Sequence, residues 1–149
     1  MSRCAGEFRA LGSLATCPTR LTGSPLPPWS RDGSVLLGHR HPQRRWYPDC
    51  WDLVGGHIEH GETPAEAVVR ECLEELGITI HDPAPVRITI DDPTLDMHAF
   101  LVTGWSGEPA NLAPDEHDAL GWFTASELSD LSLAHPALLP LLLGLLVDQ

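Results

Sequence analysis

Gly55-Gly56-His57-Ile58-Glu59-His60-Gly61-Glu62-Thr63-Pro64-Ala65-Glu66-Ala67-Val68-Val69-Arg70-Glu71-Cys72-Leu73-Glu74-Glu75-Leu76-Gly77-Ile78 divides into a glycine loop, one helix and a glycine stop. Thr63 is a good N-cap, Pro64 suits the first helical position, and Glu66, three residues on, completes a capping box. Gly77 supplies a left-handed stop. Start and stop signals agree on a helix of about three to four turns. With Glu71 at zero and a step of roughly 100° per residue, Glu71, Glu74 and Glu75 fall within an arc of roughly 100°. Val68, Cys72, Ala65, Leu76, Val69 and Leu73 fill the opposite arc and predict a core-facing side. The three carboxylates repel one another at spacings of three and four. They also crowd the helix C-terminal half, where the dipole disfavours anions. A solvated acidic face is the bland reading. A hard divalent cation, which takes oxygen ligands, would remove the conflict, and Arg70 can neutralise or orient a neighbouring carboxylate.

What tips the reading toward the cation is a resemblance. Gly56, five residues, Glu62, seven residues and Arg70-Glu71-Cys72-x-Glu74-Glu75-x-Gly77-Ile78 resembles the Nudix box, the signature of the Nudix hydrolases. All charged and glycine positions match. Cys72 stands where the family usually has a larger aliphatic residue, a mild change for a small buried hydrophobe. Trp51-Asp52-Leu53-Val54-Gly55-Gly56 resembles the family's approach to the box, with Val54 in place of a proline.

The resemblance implies an α/β fold: an α/β/α sandwich around a mixed β-sheet, one domain over residues 1–149. It implies that Glu71, Glu74 and Glu75, with the Gly55 carbonyl, bind Mg2+ or Mn2+, that Arg70 holds Glu71, and that Glu62, in the loop-to-helix turn, assists a second metal through water. The identity of the general base stays open. In the MutT-type branch a further Glu precedes the strand that ends in an aromatic. Glu116, ahead of Trp122-Phe123, is the matching fourth ligand or base, with Asp115 and Asp118 competing. The implied activity is hydrolysis of a nucleoside diphosphate linked to another group, foremost a nucleoside triphosphate such as 8-oxo-dGTP, giving a nucleoside monophosphate and pyrophosphate. A nucleotide-sugar pyrophosphatase acting on ADP-ribose is the alternative within the family. A non-catalytic nucleotide sensor is the alternative outside catalysis, disfavoured because the box carboxylates are all present.

At 149 residues the chain is long enough for a sizeable core. Its net charge of −12 argues against a nucleic-acid polymer as partner, since backbone binding needs clustered Lys and Arg. A nucleotide remains compatible, because a metal can carry the phosphate charge. Cys4, Cys17, Cys50 and Cys72 lack paired zinc spacing, and no leader-like apolar stretch opens the chain. A reduced, cytoplasmic protein is expected, a monomer or homodimer with no membrane partner. Pro136 to Val147 is too short to span a bilayer and reads as a core-packing terminal helix, with a dimer contact as the lesser option. No His-Glu-x-x-His, Gly-x-Ser-x-Gly, phosphate-loop or dinucleotide glycine motif occurs.

Leu11 to Thr16 is a weak first strand, and Pro18 to Ser34 reads as loop. Val35 to Gly38 is a strand. His39 to Pro48 then gathers basic residues, histidines and aromatics in an acidic chain. Arg40 is the leading candidate for phosphate contact, with Arg44 and Arg45 weaker ones. Trp46, Tyr47, Trp122 or His135 could form a base pocket. Ile78 to Ile80, Val86 to Ile90, Met97 to Trp105 and Asp118 to Phe123 are expected strands, with a polar loop from Gly107 to Glu116 and a helix start after Thr124.

Overall fold

The computed structural model describes residues 8–16, 33–93 and 95–147, the first run by its backbone path. The strands are β1 Phe8–Thr16, β2 Ser34–Arg40, β3 Trp51–Asp52, β4 Thr79–His81, β5 Ala84–Val86, β6 Leu95–Val102, β7 Gly104–Ser106 and β8 His117–Thr124. The helices are α1 Pro64–Leu76, α2 Ala125–Leu128 and α3 Leu138–Val147. The expected loop over Pro18 to Ser34, including Pro25 to Trp29, lies almost wholly outside the described residues.

A six-stranded mixed sheet organises the molecule, in the order β3-β2-β1-β6-β5, with β8 on β2. β1 and β6 are parallel and the other pairs antiparallel. β1 and β3 pair with successive parts of β2, at Val35–Leu36 and at Gly38–His39, while β8 runs along β2 from Ser34 to Arg40. β4 and β7 form a separate ribbon.

Strand alternation splits the core into two layers. Leu36 of β2, Phe100 and Val102 of β6 and Trp122 of β8 meet Ala67, Val68, Cys72 and Leu76 of α1. Val35, Leu37 and Ala99 meet Leu128 of α2 and Leu138 and Leu142 of α3. The sheet therefore lies between helices, as an α/β/α sandwich. α3 forms despite Pro140 and Gly144, because Pro140 falls in its first turn, where no intrahelical N–H bond is lost. No helix among the described residues is long and apolar enough to cross a membrane.

Three expectations need correction. Ladder pairing covers Ala84–Val86 rather than Val86 to Ile90. The alternating Val86, Ile88 and Ile90 suggested a strand, but Val86 and Ile88 pack against the α3-side core and the chain leaves the ladder after Val86. Met97 to Trp105 is two strands: β6 belongs to the main sheet and β7 to the ribbon with β4. On α1, Leu73 is 54 % exposed, while Glu71 and Glu75 are 8 % and 4 % exposed. The helix buries the rows 67-71-75 and 68-72-76, so the core face is rotated toward two of its carboxylates.

Candidate active site

The α1 start is built as its sequence dictates. Thr63 Oγ1 accepts from the Glu66 amide at 3.2 Å, and Glu66 Oε2 accepts from the Thr63 amide at 2.8 Å. Gly77 ends the helix at φ 70°, in the left-handed region that glycine enters without a Cβ clash.

Arg70 braces one half of the site. Its Nε and Nη2 donate to the two Glu62 carboxylate oxygens at 2.7 and 3.0 Å, a bidentate fork. Nη1 donates to Glu71 Oε1 at 2.9 Å and Glu74 Oε2 at 3.1 Å, and Nη2 also donates to the His57 carbonyl at 3.0 Å. Glu62 foremost, and then Glu71, raise the Arg70 pKa, and the Arg70 hydrogen bond lowers that of Glu62. Gly56 backs against Glu71: a Cβ there would lie 2.4 Å from Glu71 Oε1. Glycine at 56 therefore leaves room for a carboxylate seated on the backbone. Gly55 adjoins it in the same loop.

The second half is assembled from distant sequence. The loop after β7 crosses the α1 C-terminus, where the Ala110 and Leu112 amides donate to the Leu76 and Glu75 carbonyls at 3.0 and 2.8 Å. This crossing brings Glu116 and His117 to Glu75. One ligand atom from each of the three lies within 4.8 Å of the others. Burial, followed by the neighbouring Glu116 carboxylate, pushes Glu75 up to about 10, and Glu116 is correspondingly lowered. Two carboxylates this close need a shared proton or a cation between them. Oxygen donors that are partly buried, crowded and mutually repelling fit a hard divalent cation, so the donor set passes that chemical test. His117 is buried, its pKa lowered to about 4 chiefly by burial, and its Nε2 lies 3.3 Å from Glu75 Oε2. Sequence reasoning missed His117. It reads as one strand residue beside an expected acid, and only the α1 packing reveals its partner.

Of the competing acids, Asp118 pairs with His39 Nδ1, and Asp115 is exposed. Glu116 alone of the three joins Glu75 in the three-residue cluster. Glu74 is more open, its side chain 59 % exposed.

The expected substrate residues are dispersed. Arg44 Nη1 lies 3.5 Å from Glu116 Oε1, at the edge of the acidic cluster. Arg40 is engaged within its own loop: Nε and Nη2 donate to the Trp46 carbonyl at 3.1 and 2.7 Å, Nε also to the Tyr47 carbonyl at 2.9 Å, and Nη1 meets Asp52 at 3.4 Å. Trp46 is 57 % exposed, with the Arg45 guanidinium 5.2 Å from its ring centroid. Tyr47 and His135 meet edge to face at 4.5 Å, and the Tyr47 hydroxyl donates to Asp92 at 2.7 Å. Tyr47 and Asp49 hold φ of 50° and 57°, a conformation that non-glycine residues adopt seldom and often at functional loops. Trp122 is in the core, stacked 6.0 Å from Trp105, and reaches a cleft of about 250 Å³ with Leu36, Pro109, Ala110, Asn111 and Leu120.

A sheet between helices, with a braced acidic helix and a further carboxylate delivered by a loop, fits a hydrolase of acid anhydrides. The NUDIX domain model matches residues 25–142, and the chain belongs to that family, in its MutT-type branch. It is 36 % identical over 115 residues to the CTP pyrophosphohydrolase of Escherichia coli (strain K12), covering 75 % of this chain and 82 % of that protein. It is 39 % identical over 85 residues to the putative 8-oxo-dGTP diphosphatase 2 of Mycobacterium tuberculosis (strain CDC 1551 / Oshkosh), covering 54 % and 58 %. A MutT NUDIX hydrolase from Burkholderia pseudomallei superposes with a TM-score of 0.63 at 30 % identity, covering 80 % of this chain and 84 % of that one.

Proposed function

We propose that the protein is a nucleoside triphosphate pyrophosphohydrolase, releasing a nucleoside monophosphate and pyrophosphate with Mg2+ or Mn2+ as cofactor. The observation that carries this reading is the convergence of Glu75 with Glu116, beside a helix whose Glu71 and Glu74 share Arg70. Glu71, Glu74, Glu75, Glu116 and the Gly55 carbonyl would hold the cation. When bound, it would supply charge neutralisation for the phosphates and activation of water. Arg70 keeps Glu71 and Glu74 aimed. A carboxylate of the cluster accepts the water's proton. Arg44, already beside Glu116, is suited to a terminal phosphate. The exposed Trp46 and the Tyr47–His135 pair are the candidates for the nucleobase.

The relative matched over more of the chain is named for CTP and the other for 8-oxo-dGTP, so both head the substrate panel. Pyrophosphate release should be measured with CTP, dCTP, 8-oxo-dGTP, dGTP and ADP-ribose, with and without Mg2+. Turnover of a triphosphate that stops in EDTA is expected. Glu74→Gln, correctly folded, should lower kcat by about 10³-fold, a loss of roughly 4 kcal/mol of transition-state stabilisation. Full activity of that variant would refute the ligand assignment, and turnover of ADP-ribose alone would refute the substrate class.

A further inference from the structure

We infer that His117 is a positioning residue for the cation site: its Nε2–H donates to Glu75 and sets the angle at which that carboxylate meets the ion. The inference rests on the metal-dependent reading proposed above.

The imidazole is pinned. Its side chain is 3 % exposed, and its Nε2 lies 3.3 Å from Glu75 Oε2. On the opposite side the ring lies against β2, where a Cβ on Gly38 would come within 2.7 Å of Nδ1. The backbone is held as well: the His117 carbonyl accepts from Asn111 Nδ2 at 2.6 Å, and its amide donates to the Ala113 carbonyl at 3.0 Å. Nδ1 has no hydrogen-bond partner among the described residues. Placing the ring proton on Nε2 makes the one bond that this geometry offers and leaves at Nδ1 a bare lone pair, a smaller cost than a buried N–H without an acceptor.

A purely packing role explains this poorly. The ring is buried between Gly38 of β2 and Glu75 of α1, and an aliphatic side chain would fill that space without the cost of desolvating a polar ring. Among the described residues the ring's only side-chain hydrogen bond runs to Glu75, which also faces Glu116. A neutral donor behind a ligating carboxylate is the usual way that proteins orient a ligand and tune its basicity. Direct coordination by the imidazole is the competing arrangement, because its nitrogen is also within the three-residue cluster. Imidazole suits zinc, copper, iron and nickel, whereas the remaining donors here are oxygens, which suit Mg2+ and Mn2+.

The test uses Mn2+ as probe, with affinity measured by electron paramagnetic resonance titration of the full chain and the ligand atoms read by electron spin echo modulation. His117→Leu keeps the volume and removes the donor; it should weaken Mn2+ binding by about 10–100-fold. His117→Gln returns a donor near the Nε2 position and should bind within a few-fold of wild type. Gly38→Ala, which displaces the ring, should behave like the Leu variant. Thermal melts in EDTA check folding, and if the Leu variant does not fold, His117→Asn, whose donor sits at the Nδ1 end, replaces it with the same expected loss. Equal Mn2+ affinity in the Leu, or replacement Asn, variant and wild type would overturn the inference, as would a Gln variant as weak as that variant. A strong bound-nitrogen signal in wild type that vanishes in the Gln variant would overturn it by making His117 a ligand. Wild type that binds no Mn2+ would defeat the metal-dependent reading itself, an outcome distinct from the others.

Discussion

The two halves of the site are built in opposite ways. Glu62, Arg70, Glu71 and Glu74 are neighbours in sequence, joined by a guanidinium that reaches one turn of helix and one loop. Glu75, Glu116 and His117 are joined across about forty residues, and they meet because the 107–116 loop docks on the end of α1. The first half is partly exposed, and the single Arg70 charge offsets part of the charge on its three carboxylates. The second is more deeply buried at Glu75 and His117 and sets two carboxylates against each other. Local ion pairing pre-shapes the carboxylates, while tertiary burial concentrates the field that a cation can answer.

The largest effect that would break this contrast is expected at Arg70. Arg70→Ala should lower kcat/KM by about 100-fold, roughly 3 kcal/mol, because three carboxylates lose their common partner. Arg70→Lys should recover only part of that loss, since an ammonium cannot reproduce the fork to Glu62. A fully active Lys variant would show that net charge alone suffices.

The buried half should announce itself in the pH dependence of stability in EDTA. Glu75 is raised from 4.5 to about 10, so from pH 4.5 upward the folded chain holds a proton that the unfolded chain releases, and stability falls as pH rises. His117 is lowered from 6.5 to about 4, so its contribution rises through that window and offsets the fall below pH 6.5. Together these two groups should leave stability nearly level up to about pH 6.5 and lower it as pH rises beyond that. Glu75→Gln should abolish the drop. Denaturant unfolding of both chains across this range checks it, and parallel curves above pH 6.5 would contradict the buried-pair account.

A smaller change is expected from Gly56→Ala, whose new methyl must displace the Glu71 carboxylate. Calorimetric Mg2+ titration should find affinity reduced by about tenfold, in the range for a disturbed ligand. Unchanged affinity would mean that Glu71 moves freely without consequence. The smallest effect belongs to Thr63→Ala, which removes one cap bond and should cost about 1 kcal/mol in a melt while sparing KM.

Much of the local half was legible beforehand. The Thr63–Glu66 box, the Gly77 stop and the Arg70 brace all follow from short-range geometry, and the helix bounds agree. The distant half was legible only through resemblance, which brought Glu116 forward but could not see His117. Arg40 was expected at the phosphates, yet its donors are taken by the Trp46 and Tyr47 carbonyls and by Asp52, a loop closure that no spacing rule encodes. The strand expected from Val86 to Ile90 failed for a related reason. Alternation reports which side chains are buried and is silent on whether a neighbouring strand completes the ladder.

What residue order settles here is whatever closes within a turn or two of helix: caps, stops, the i,i+3 and i,i+4 crowding of acids, and the arginine within reach of them. Those interactions need no distant partner, so their energies are present in the linear code. Which carboxylates become buried, which loop covers the helix end, and which imidazole stands behind Glu75 depend on how the sheet rotates α1 and where the 107–116 crossing lands. Those outcomes come from packing surfaces drawn from the whole chain against one another, and no short stretch carries that information.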